Sequence, residues 1–417
     1  MELEPDVVII VADFLPLQGV LAVAACCPAW RVPARADRLW IRFCRGRWRF
    51  GTTFGAAQGL QPGARDASSL ASWQAAAGRG LHQVGSEAFS FYVHRCQGDC
   101  EVRELLRKRT SPHEVPGPGP ARKELLRRGA EALDALLALE ERGAGPIQQC
   151  AQDLRQEISD IWAAERWTKL LGSADEGSLE EGALVLAQWA RPTADVPAMR
   201  QVLERLAERA AALGAQRSPT PDEPEPEEAI RIIKAVNCAV FQEYGLEATS
   251  PEQYYDSSNS FLHAVLERRR GIPISLSIVW VAVARRLGLH CHCLAGFPRH
   301  LLVRVPVRVG ARRCVPMQDI YIDAFAKGRV MNWGELVQFA GEITGANAES
   351  MLPSFVEIMP PVQTCMRMMR NLVNIYQQQE DQRRLLGIVC QMEALQGDAS
   401  VRRLKEHLAH ALGRDRE

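Results

Sequence analysis

The chain has 417 residues, 47% of them hydrophobic and 24% charged, which suits a folded protein of two or three domains and excludes a disordered or low-complexity one. Fifty basic and fifty acidic residues cancel to a net charge of zero, arguing against a nucleic-acid scaffold or a polybasic membrane binder. No apolar stretch is long and uncharged enough to span a bilayer, the start MELEPD is acidic rather than signal-like, and the twelve cysteines are scattered singly or as Cys26-Cys27, so reduced thiols in the cytoplasm or nucleus are expected.

Residues 3–50 read as a compact helical unit. Val7, Ile10, Val11, Phe14 and Leu15 recur at helical spacing, Pro16 interrupts them, and Leu17, Val20, Leu21, Ala24 and Cys27 carry a second helix. Trp30 and Leu39-Trp40 close a small apolar cluster. An early Leu and Pro, paired helices, a Cys-x-x-Trp and a late Leu-Trp are the usual features of an F-box, and this stretch resembles one. Glu4 separates Leu3 from Pro5, which are usually adjacent. The resemblance implies a Skp1-type adaptor as partner, with Leu15, Leu17, Leu21, Trp30 and Trp40 as the expected adaptor-binding residues. A generic three-helix cap is the alternative.

Residues 51–213 are expected to form a helical region. A Gly, Ala and Ser-rich part (51–85) comes first, then helices over 86–170 broken by SPHEVPGPGP at 111–120, then two amphipathic helices in 178–213. His94, Cys96 and Cys100 lie close together, but no second ligand pair at zinc spacing follows before Cys150, so incidental thiols at a helix end are favoured over a metal site. An acidic, Pro-rich linker is expected at 214–229. Its centre, RSPTPDEPEPEE (217–228), offers little to bury and reads as extended.

The stretch 254–304 is the most informative. Gly271-Ile272-Pro273 cannot lie inside a helix, and Pro is favoured in a first turn because its missing N–H would be unpaired there anyway. Ser275 and Ser277 then fall in that first turn. Ile278, Val279, Trp280, Val281, Val283 and Ala284 follow with almost no polar break, the pattern of a helix buried on most sides. Arg285 and Arg286 meet the C-terminal end of the dipole, and Gly288 stops the helix. Strands are predicted at 289–295 and 301–305, joined through Phe297-Pro298-Arg299-His300, with shorter ones at 307–309 and 320–322. Residues 361–412 return to helices. Met366, Met369, Leu372, Val373 and Tyr376 line one face; Leu385, Leu386, Val389, Met392 and Leu395 the next; Val401, Leu404, Leu408 and Leu412 a third.

Tyr254-Tyr255, Asn259-Ser260, Arg269, the run 271–277, Ala284 to Gly288, Gly296-Phe297-Pro298, His300 and the DIYIDAF run at 319–325 resemble the transglutaminase-like domain of the F-box only protein 21 family and its bacterial relatives. Leu179 to Ala183 and Trp189 to Pro192 fit as well, and the likeness covers about 150–410. It implies a fold that is mostly α with a small α+β transglutaminase-like domain, a helical F-box at the N-terminus and a tetratricopeptide-like helical tail. The expected divisions are 1–50, 51–213, 214–229, 230–350 and 351–417. Animal relatives commonly carry a further β-rich domain, expected to be missing here.

Transglutaminase-like enzymes use a Cys at the start of the buried helix, then a His, then an Asp. Here the helix starts GIPISLS, without Cys, while His300 and Asp323 stand where the resemblance places the His and Asp. Ser275 or Ser277 could replace the Cys in Ser-His-Asp order, and Cys291 and Cys293 are further nucleophile candidates for His300, set by a strand away from the activating helix end. Against that, the serines cap the helix and His300 and Asp323 form a retained hydrogen-bonded pair. His290, Cys291, His292 and Cys293 alternate along a strand, so they point to opposite faces and cannot converge on one tetrahedral metal. Neither a metal nor a cofactor is expected. The resemblance implies the substrate-recognition subunit of an SCF-type cullin–RING ubiquitin ligase. Its expected partners are the adaptor, a cullin and a target protein, with neither nucleic acid nor membrane among them. The alternatives are a Ser- or Cys-dependent amidase or acyltransferase using Ser275, His300 and Asp323, and a degenerate paralogue with neither activity.

Overall fold

The computed structural model describes residues 98–108, 110, 120–142, 145–171, 178–214, 224–294, 296–298, 300–308, 318–345 and 348–412. The F-box-like stretch with Leu15, Leu17, Leu21, Trp30 and Trp40 lies outside them, as do His94, Cys96 and most of the acidic linker. Two compact units are present, Met1–Trp162 and Ala163–Glu417. The expected divisions at 213/214 and 350/351 lie within the span of the second unit. No helix among the described residues is long and apolar enough to cross a membrane.

The first unit is helical where it is described. It contains α1 (Pro120–Arg128), α2 (Ala130–Arg142) and most of α3 (Pro146–Leu171). Leu125, Leu133 and Leu136 are fully buried, and Arg155 of α3 donates to Glu140 of α2 at 2.6 Å.

The second unit is mostly α around a small sheet. It opens with α4 (Ser178–Ala190) and α5 (Val196–Ala212). Next, α6 (Pro226–Asn237) begins four residues before the expected linker ends. Pro226 fits its first position, and Glu227 and Glu228 meet the positive end of its dipole. A parallel pair of two-residue strands, β1 (Glu247–Ala248) and β2 (Arg270–Gly271), flanks α7 (Leu262–Arg268).

Next comes α8 (Pro273–Arg286), in which every residue from Pro273 to Ala284 is buried. Its end is the αL stop that Gly288 predicts. The Gly288 amide donates to Arg285 O at 2.9 Å, the Leu289 amide donates to Ala284 O at 3.1 Å, and Gly288 has φ +77°. Arg286 fixes the same end to α4 and α5 through Glu180 (2.6 and 2.9 Å) and Glu204 (3.1 Å). Each fully buried Ile, Leu or Val on this helix contributes roughly 1.5–3 kcal/mol relative to exposure.

The main sheet is antiparallel in the order β3 (His292–Cys293), β4 (Val303–Val305), β5 (Ile320–Asp323), β6 (Arg329–Met331). The predicted strand over 289–295 is shorter than expected. Beyond β3 only Leu294 forms a bridge, to Ile358, while the Gly296 amide turns to Phe355 O. The predicted strand at 307–309 is not formed at Val307 or Arg308, because their amides are used elsewhere. Val307 donates to Asp319 Oδ1 (3.4 Å) and Arg308 to Pro224 O (3.0 Å). Two helices unforeseen from the sequence follow the sheet, α9 (Trp333–Thr344) and α10 (Ala348–Phe355).

The tail is α11 (Pro361–Gln378), α12 (Gln382–Gln396) and α13 (Ala399–Ala411). It belongs to the core of the second unit. Trp189 of α4 lies between Phe261 (6.3 Å) and Tyr376 of α11 (6.4 Å, edge-on). Trp167 donates its indole N–H to the buried Gln391 at 2.9 Å, across 224 residues of sequence.

Candidate active site

The register of the sheet builds the site. Val303 of β4 pairs with Ile322 of β5, so a residue just before β4 meets the end of β5. His300 and Asp323 occupy those places. His300 Nε2 lies 2.9 Å from Asp323 Oδ1, without meeting the geometry of a directed hydrogen bond. The same Oδ1 accepts the amides of Phe325 (3.0 Å) and Ala326 (3.2 Å). Asp323 thus shapes its own turn while facing the imidazole. The His300 ring packs edge-on against Phe325 (5.9 Å) and Phe339 of α9 (5.3 Å), which keeps the pair largely dry.

Arg367 on α11 holds the loop that carries His300. Its guanidinium donates to the carbonyls of Phe297 (2.7 Å) and His300 (2.6 Å), and its own burial pulls its pKa down. A side chain from the tail therefore completes the corner. The sequence did not disclose this, because Arg367 sits between Met366 and Met368 on what reads as an ordinary amphipathic helix.

The start of α8 is arranged differently. Ser275 Oγ accepts the Ile272 amide at 3.1 Å and donates to Ile272 O at 3.2 Å. The hydroxyl's single proton is thereby committed to the backbone. Ser277 is fully buried and its Oγ makes no hydrogen bond among the described residues. The structure brings His300 and Asp323 together and joins neither to Ser275 or Ser277 by a hydrogen bond. An activated nucleophile needs such a link to its base.

Cys291, Cys293 and Cys365 offer no substitute. Cys291 and Cys293 are buried, His290 is exposed and His292 half-buried, as alternation along an extended segment requires. Burial pushes the Cys293 thiol up to about 11 and the Cys365 thiol up to about 12, far from a thiolate at neutral pH. Among the described residues no group of three or more His, Cys, Asp or Glu is placed to hold a metal ion.

Comparisons with known proteins place this geometry. A UPF0162 protein of Xylella fastidiosa (strain Temecula1) is 37% identical over 146 residues, covering 34% of this chain and 48% of that protein. F-box only protein 21 of Mus musculus is 30% identical over 145 residues, covering 35% of this chain and 22% of that protein. The Homo sapiens protein of the same name is 29% identical over the same length. The match spans about half of the bacterial relative and about a fifth of the mammalian ones. No solved structure matches the chain. The profile of the Transglutaminase-like superfamily matches residues 197–370, the span that holds α8, His300, Asp323 and Arg367, and the chain thus carries a transglutaminase-like domain there.

Proposed function

We propose that the chain is the target-binding subunit of an SCF-type cullin–RING ubiquitin ligase, working in the cytoplasm or nucleus. Residues 1–50 take the Skp1-type adaptor through Leu15, Leu17, Leu21, Trp30 and Trp40, and the second unit takes the protein to be ubiquitinated. The similarity to proteins named F-box only protein 21 supports the first part. One observation favours binding over catalysis in the transglutaminase-like domain: the Ser275 hydroxyl is committed to Ile272, leaving the His300–Asp323 pair without a nucleophile hydrogen-bonded to it among the described residues.

The test is affinity purification of the full chain from cells. Adaptor and cullin are expected to co-purify, and Leu21→Asp is expected to abolish this, because an unpaired carboxylate buried in an apolar contact costs several kcal/mol. Absence of both from the wild-type eluate would sink the ligase reading. A parallel intact-mass measurement after treatment with serine- and cysteine-directed acyl probes is expected to show no native-state labelling at Ser275, Ser277, Cys291 or Cys293. Stoichiometric labelling of Ser275 in the folded protein, lost in a folded His300→Ala variant, would install the amidase or acyltransferase reading in its place.

A further inference from the structure

A cleft of about 530 Å³ opens beside the loop that carries His300. One wall is Gly296, Phe297 and Pro298. The other is the segment Glu357 to Pro360 and the first turns of α11, with Gln363, Arg367 and Arg370. Its floor is apolar, since Phe297 and Met359 are buried. At its rim Ile358 is 44% exposed, one of few large hydrophobic side chains left open to solvent among the described residues. The sheet edge beneath is already satisfied, because the Met359 amide donates to Cys293 O at 2.8 Å and Leu294 bridges Ile358. An occupant therefore has to be held by side chains rather than by adding a strand.

The charges lining the cleft do not balance. Arg367 and Arg370 lie three residues apart on one helix and so face the same way, and Glu357 is the single carboxylate among the lining residues. Arg367 is committed to the two loop carbonyls. Arg370 is exposed and makes no hydrogen bond or ion pair among the described residues. The carboxylate of Asp398 lies within its electrostatic reach, but that group caps α13 through the amides of Ser400 and Val401.

An apolar floor, an exposed Ile and an uncommitted guanidinium at the rim match one chemistry: an extended peptide carrying a carboxylate beside an apolar side chain. The volume is that of a site for a ligand of a few residues. We propose that this cleft is where the second unit holds an acidic segment of its partner protein, with Arg370 meeting the carboxylate and Ile358 the neighbouring apolar side chain. The proposal rests on the target-binding reading given above and names the surface that performs it.

The experiment uses the full chain and a short capped peptide built from Glu, Leu and Gly. Gln-for-Glu and Lys-for-Glu versions serve as comparisons, with affinity followed by fluorescence anisotropy through a neutral dye. The Glu peptide is expected to bind about tenfold or more tighter than the Gln peptide. Arg370→Glu is expected to erase that preference, and Ile358→Asp to weaken the Glu peptide severalfold. Arg402→Glu, on the exposed face of α13, should leave it unchanged. Thermal melts confirm that each variant is folded, and both test positions are exposed. Equal binding of Glu and Gln peptides, a preference that survives Arg370→Glu, or no binding of any peptide would each overturn the proposal. Leu21→Asp separates the two readings, because it is expected to lose the adaptor and keep the peptide.

Discussion

The start of α8 and the His300 corner are the two halves of what would be one acyl-transfer site, and they are held by different means. At the helix start the hydrogen bonds that form are made within a turn of sequence, as Ile272 and Ser275 satisfy each other and the Leu276 amide returns to Ile272 O. At the corner nothing is local. His300 meets a carboxylate from the end of β5, an aromatic ring from α9 and a guanidinium 67 residues away on α11. The first can form whatever surrounds it. The second exists only when four elements have assembled around it, so it is the more exacting half and the more fragile one.

The largest effect expected from this contrast comes from two glycines. A Cβ on Gly296 would sit 2.2 Å from Phe355 Cα, backbone that cannot yield. Gly296→Ala should therefore destabilise the second unit by about 4 kcal/mol or more, read as a large fall in melting temperature. For a Cβ on Gly271, at the helix start, the nearest atoms are side-chain ones, Ser275 Oγ at 2.6 Å and Leu276 Cδ2 at 3.0 Å. Gly271→Ala should cost about 1 kcal/mol. Equal costs at the two positions would break the comparison.

Acid gives the next largest effect. His263, on α7 against α8, is buried, and its pKa is lowered to about 4, first by desolvation and then by the charge of Arg191. Above about pH 6.5 the imidazole is neutral in both folded and unfolded states and the penalty is absent. As pH falls from there toward 4, the unfolded chain takes up a proton that the folded chain resists. Stability should drop by roughly 3 kcal/mol over that window. Urea titrations of wild type and His263→Phe should show the limb flattened in the variant.

Arg367→Met comes third. It keeps the bulk of the side chain and strands the carbonyls of Phe297 and His300, at a cost of about 2 kcal/mol. The His300 imidazole resonances should move in the NMR spectrum while those of His263 stay in place. Ser275→Ala should be the mildest, about 1 kcal/mol for one lost cap. It should change no labelling or binding property, and a loss of activity without a loss of stability would place the serine in chemistry after all.

The same contrast explains what the sequence disclosed. The bounds of α8 were legible because Pro273, Arg285, Arg286 and Gly288 each act within a turn of where they stand. The candidates His300 and Asp323 came from a resemblance, and their meeting follows from a register that no local pattern encodes. The helix α9 had a readable start, since Asn332 and Glu335 exchange bonds with each other's amides at 3.0 and 2.8 Å in the spacing of a capping box. That signal was missed. The failure at 307–309 lay deeper, because Val307 and Arg308 read as strand until Asp319 and Pro224 claim their amides. Arg367 had no signal at all, since its partners are main-chain oxygens on a distant loop.

The bond between Trp167 and Gln391 bears on how the chain is made. Its two ends are separated by 224 residues, so nearly the whole second unit must leave the ribosome before this contact can close. Loop closure over such a span is slow, and local helices form long before it rewards them. Until α12 emerges, the Trp167 indole N–H lacks its Gln391 acceptor, and a nascent chain in that incompletely packed state is exposed to aggregation and to chaperones. A chain shortened by its last three helices would remain permanently at that stage.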